Sequence, residues 1–151
     1  MLEQDARTSQ LMEWFYYAMA ALGIVGTQAQ LARMPMDNLF DGTVQFWINV
    51  TSRPSSLFLT VDLLVVATVV FVWMFSEARR LKIRFVWIYF LGANLIAISF
   101  FVPLFLGVRQ RRLRAADSAI DTPLAASDWI GVTIGVACGV AATAYSLSTV
   151  I

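Results

Sequence analysis

From Leu57 to Ser76 the chain runs for twenty residues with a single charged side chain, Asp62. An apolar stretch of that length is about what a helix needs to cross a bilayer, and longer than a buried strand uses. Three further stretches read the same way, so spans are expected over about 13–32, 57–76, 84–107 and 128–149. Composition supports this. Of the 151 residues, 59% are hydrophobic and 14% charged, with a mean hydropathy of +0.70. A soluble domain is roughly 45–50% apolar and about 25% charged. The expected fold is an all-α integral membrane bundle of four transmembrane helices in a single domain.

Between the first and second spans, residues 39–50 (LFDGTVQFWINV) are apolar but too short to cross. Phe40, Val44, Trp47 and Ile48 share a helical face, whereas Val44, Phe46, Ile48 and Val50 alternate as a strand would. A lone strand beside a bilayer would leave its backbone unpaired, so a short interfacial helix is expected. Ser55-Ser56 and Ser127-Asp128 read as N-caps of the second and fourth spans, and the Ala-rich stretch 115–126 as a linker. The first apolar run begins at Trp14 and exceeds the roughly 7–15 residues of a signal-sequence core, which predicts a retained helix.

If the spans alternate in direction, Trp14, Tyr16, Tyr17, Trp73, Trp87, Tyr89 and Tyr145 fall toward one face as an aromatic belt, with Trp47 and Trp129 toward the other. The belt side then carries Arg7, Arg79, Arg80, Lys82 and Arg84, and the opposite side Arg33, Arg53, Arg109, Arg111, Arg112 and Arg114. Five against six leaves the orientation open.

Several classes of chemistry are disfavoured. Histidine is absent, which removes the usual haem ligand, the commonest transition-metal ligand and the commonest general base. No haem or metal site is therefore expected. The single cysteine, Cys138, cannot form an intrachain disulfide. A net charge of +1 gives no hint of nucleic acid. There is no Walker loop, dinucleotide fingerprint, CxxC or nucleophile elbow.

Residues 60–113 carry a specific pattern: Asp62 early in a helix, Ser-Glu-Ala-Arg-Arg-Leu at 76–81, and Pro-Leu-Phe-Leu at 103–106 leading into an arginine cluster that ends at 114. Upstream, Ser-Arg-Pro-Ser at 52–55 fits the same pattern. This resembles the DUF2834 family of small bacterial membrane proteins, over about residues 10–114. The resemblance implies a small helical membrane protein of three helices, with residues 127–151 as an additional one. The family name itself records an unknown function.

Asp62 is the only acidic residue well inside a span. A carboxylate there costs about 2.5–3.5 kcal/mol at the helix centre and less toward the interface, so it needs partners. Arg109 and Arg53, together with Thr27, Gln28 and Gln30, are expected at the same depth. The cluster reads as a structural ion pair and polar clamp, or as a ligand or proton site. Asn94 and Ser99 read as interhelical hydrogen-bonding groups, or as contacts to a lipid-like ligand or pigment. Pro103 should kink the third span by removing a donor to the Ser99 carbonyl. Glu77 and Arg80 are spaced as an i,i+3 pair. In the fourth span Gly131, Gly135 and Gly139 recur every four residues and Thr143 continues the row. Such a stripe permits close helix approach, either to Gly23, Gly26, Ala93 or Ala97 of the same chain or to a separate membrane subunit.

No catalytic set is evident. The expectation is a non-catalytic accessory subunit of a larger membrane complex, photosynthetic or respiratory, in a bacterial inner membrane. Its partners would be lipids, pigment contacted through apolar surface, and another integral membrane protein or further copies of itself. Two alternatives are a proton-coupled or lipophile-binding transporter and an intramembrane prenyl- or lipid-modifying enzyme using Asp62.

Overall fold

The computed structural model describes residues 2–31 and 39–115, together with scattered positions between 130 and 148. Among the described residues there are five α-helices and no strand: α1 (Leu2–Leu31), α2 (Leu39–Thr51), α3 (Pro54–Arg80), α4 (Val86–Leu95) and α5 (Ile98–Ala115). Helix α1 begins eleven residues before the expected start, because Glu, Gln, Ala, Arg and Leu near the N-terminus are all good helix formers. Residues 39–51 are helical, not extended. Helix α3 opens with Pro54 in its first turn after an extended Arg53, three residues before the start expected from serine capping.

Helix α3 ends in a Schellman turn. The Ile83 amide donates to the Ala78 carbonyl and the Lys82 amide to that of Arg79, with Lys82 left-handed at φ 52°. Ile83 and Ala78 are both buried, supplying the apolar contact that accompanies such an ending. Phe85, also left-handed at φ 62°, turns the chain into α4.

The largest departure from expectation concerns residues 84–107, which are not one helix. Helix α4 ends at Leu95, and the Gly92 carbonyl accepts from the amides of Ile96 and Ala97 just beyond it. Ala97 then accepts from Phe100 and Phe101 and opens α5. The chain folds back on itself there. The rings of Tyr89 and Phe105 lie 5.6 Å apart, although a straight helix would separate those positions by about 24 Å. Phe101 covers Gly92, where any Cβ would overlap its ring. Pro103 sits inside α5, which runs on through it, so the reversal lies at Ile96–Ala97 and not at the proline. As the sixth residue of α5 it lies past the four amides that lack an intrahelical partner, so it does deprive the Ser99 carbonyl of its donor, without ending the helix.

The hairpin packs on the C-terminal third of α3. Phe71, Met74, Ala78, Ile83, Ala93 and Phe105 make the core, edged by ring pairs Phe71–Phe90 at 4.9 Å and Phe75–Trp87 at 4.8 Å. Helix α5 lies antiparallel along α1. Gly23 stands so close to Ser99 that a Cβ would overlap the Ser99 carbonyl, and Gly107 meets the Tyr17 ring as tightly. The positions described between 130 and 148 are helical, and Thr143 comes against Gly26, where a Cβ would be 2.8 Å from its hydroxyl. Gly131, Gly135, Gly139, Ser127, Asp128, Trp129, Cys138 and Tyr145, and most of the linker 115–126, lie outside the described residues.

Candidate functional site

The polar cluster expected around Asp62 does not assemble. Asp62 is exposed on α3, on a shallow groove lined by Pro54, Leu57, Phe58, Val61 and Val65 of the same helix. Arg109 lies elsewhere, at the opposite end of α3. Its Nε donates to Glu77 Oε1 at 2.7 Å, fifteen residues and about 22 Å along the helix from Asp62. The physical reason is the hairpin: a third span would have carried Arg109 across to Asp62, whereas the reversal returns it to the side it left. Arg53 is exposed at the start of α3, and Thr27 bonds back to the Gly23 carbonyl at 2.8 Å. Gln28 is half-buried and Gln30 exposed on α1, and no contact with Asp62 is shown for either.

Asn94 and Ser99 are also separated, one on each side of the bend. Asn94 is exposed and donates to the carbonyl of Phe90, one turn back, at 2.7 Å. Ser99 faces α1 and donates to the Gly23 carbonyl at 3.4 Å.

What does assemble is a charged end. Glu77 is buried and receives two arginines: Arg80 Nε at 2.7 Å, as the i,i+3 spacing indicated, and Arg109 from α5. The Arg109 guanidinium also lies 5.7 Å from the Trp73 ring centroid, a cation–π distance. A second buried carboxylate, Glu13 of α1, stands 2.6 Å from Arg114 Nη2; its Oε2 is in ion contact but not aligned for a hydrogen bond. Between them Gln110 donates to Ser9 Oγ at 3.0 Å. Helix α5 is thus tied to α3 by one carboxylate and to α1 by another. The basic residues around this clamp, Arg79, Lys82, Arg84, Arg111 and Arg112, are exposed.

Glu13 was not singled out in the sequence, though it was readable as a lone acid at the edge of an apolar run. The Glu77–Arg109 pair was hidden by placing those residues on opposite faces. Chemically, both carboxylates are neutralised by arginine and act as fasteners. Among the described residues no three acidic or thiol side chains gather to hold a metal.

The family described as "Protein of unknown function DUF2834" matches residues 15–111. The chain belongs to the DUF2834 family. No curated protein and no solved structure matches it. The DUF2834 match takes in Glu77, Arg80, Arg109, all of α4 and α5 as far as residue 111, so the first fastener lies within the family unit. Glu13, Arg114 and the helical positions after 130 fall outside it.

Proposed function

We propose that this DUF2834 protein is a small integral membrane protein without catalytic chemistry of its own, an accessory subunit that packs against and stabilises a larger membrane complex. The observation that carries the reading is the surface of α3. It is the one helix among the described residues long and apolar enough to cross a membrane, and only 17% of its most apolar window is buried. Leu57, Phe58, Leu59, Val65, Val69 and Val72 are all exposed. Apolar surface on that scale needs lipid or a partner to cover it. Asp62, set among those side chains, has no ion pair or hydrogen bond among the described residues, and a donor on a partner subunit would complete it.

Around α3, helix α1 and the helical positions after 130 would complete the membrane-embedded unit, with α2 along the interface and lipid or pigment against the apolar face. A bacterial inner membrane is the setting this composition suits. A transporter or a lipid-modifying enzyme would need Asp62 to converge with other polar groups, and its surroundings are apolar. The test is extraction of native membranes in mild detergent, followed by native electrophoresis. Migration with a larger assembly supports an accessory subunit. Migration solely as a free monomer, under conditions that keep other complexes of that membrane whole, overturns it.

A further inference from the structure

We propose that the arginine-rich end of the molecule is a docking surface for the anionic headgroups of the cytoplasmic leaflet, with α4 and α5 forming a hairpin that enters and leaves by that leaflet. The inference rests on the membrane reading above and deepens it.

The hairpin follows from contacts at several levels: Phe101 on Gly92, Phe105 beside Tyr89, and Arg109 on Glu77. Glu77 is also the level at which α3 ends and α4 is about to begin, so the start of α4 and the basic end of α5 lie together. Ten residues of α4 reach about 15 Å, half of a hydrocarbon core of roughly 30 Å. The charge count changes accordingly. Of the eleven Lys and Arg residues, Arg7, Arg79, Arg80, Lys82, Arg84, Arg109, Arg111, Arg112 and Arg114 now belong to one end. Arg53 belongs to the other, and Arg33 lies outside the described residues. Nine against one among the described residues is a bias that sets orientation, with the rich side cytoplasmic.

The surface is layered as a leaflet is. Exposed cations (Arg79, Lys82, Arg84, Arg111, Arg112) stand outermost. Within a turn or two of them Trp14 and Trp87 are 64% and 62% exposed, matching the depth at which indoles favour the headgroups. The apolar flank of α3 comes next. A soluble polyanion would satisfy the cations but would leave the tryptophans and the flank uncovered, which is why a phospholipid surface fits better.

The test uses the full chain in bacterial membranes, with Cys138→Ser and single cysteines at Arg84→Cys, Arg112→Cys or Ser52→Cys. An alkaline carbonate wash comes first, because release of the chain by it overturns the membrane reading itself. For a retained chain, a membrane-impermeant maleimide is expected to label positions 84 and 112 only in inverted vesicles, and position 52 only in spheroplasts. Labelling of 84 and 112 from opposite sides overturns the hairpin, and labelling of both from outside overturns the cytoplasmic assignment. In vesicles of equal phosphatidylglycerol and phosphatidylcholine, the extracted protein should retain the anionic lipid preferentially. Changing Arg79, Lys82, Arg84, Arg111 and Arg112 together to Gln should lower that preference about fivefold or more. Equal retention of the two lipids by the unaltered chain overturns the headgroup contact.

Discussion

Helix α3 holds two carboxylates, Asp62 and Glu77, in opposite surroundings. Asp62 stands exposed among aliphatic side chains near one end, and no ion pair or hydrogen bond to it is found among the described residues. Glu77 is buried at the other end, between an arginine of its own helix and one from α5. Each half of α3 matches its acid. The Asp62 half lies largely bare of the other helices, whereas the Glu77 half is wrapped by the hairpin through Phe71, Met74 and Ala78. One helix thus carries an internal fastening and an outward-facing surface. An acid's burial and partners, more than its position in an apolar run, decide which of the two it serves.

The largest expected effect therefore lies at Glu77. Glu77→Gln leaves the guanidinium of Arg109, 17% exposed, beside Arg80 without a counter-charge. Losing one partner of a buried pair costs about 3 kcal/mol, far more than losing both. Unfolding in mixed detergent should show that loss for Glu77→Gln and a smaller one for Glu77→Gln with Arg109→Gln. If the double variant is as unstable as the sum of the two single changes, Glu77 and Arg109 are not coupled and the contrast with Asp62 fails.

A smaller effect is expected where α5 meets α1. Gly23 faces the Ser99 backbone, and backbone cannot swing aside as a side chain can. Gly23→Ala should cost about 1–3 kcal/mol by forcing the helices apart. At Gly26 the neighbour is the Thr143 hydroxyl group, the tip of a side chain, so Gly26→Ala should cost less. Thermal unfolding of the two variants side by side checks the order. Equal losses would mean that the helix after 130 is held as rigidly as α5.

The length and apolarity of α3 were legible because both are local. So was the i,i+3 pair of Glu77 and Arg80, which needs only a continuing helix. The reversal at Ile96–Ala97 was not legible. Residues 85–107 carry no charged side chain, and their composition does not distinguish one crossing helix from two that fold back. Pro103 is the expected kink, yet it deprives only the Ser99 carbonyl of a donor and α5 continues through it. The readable cue was Gly92, which leaves room for Phe101, but a glycine in an apolar run has many uses. Placing the bend wrongly moved Arg109 to the other face, and with it the assignment of its partner from Glu77 to Asp62.

The smallest effect on the isolated chain is expected at Asp62 itself. Asp62→Asn keeps the shape of an exposed side chain for which no ion pair is found among the described residues, so its stability in detergent should change by less than about 0.5 kcal/mol. Exposure to lipid is a separate matter. A carboxylate among Leu57, Phe58, Val61 and Val65 is costly there, and neutralising it should leave insertion unchanged or improve it. What the substitution should reduce is the amount of a larger assembly recovered in mild detergent, because a donor on a partner would lose its charge complement. A loss of intrinsic stability as large as that of Glu77→Gln would mean that Asp62 is a second fastener, its partner lying outside the described residues. Unchanged stability with lowered recovery of the assembly would assign the two ends of α3 to two different tasks.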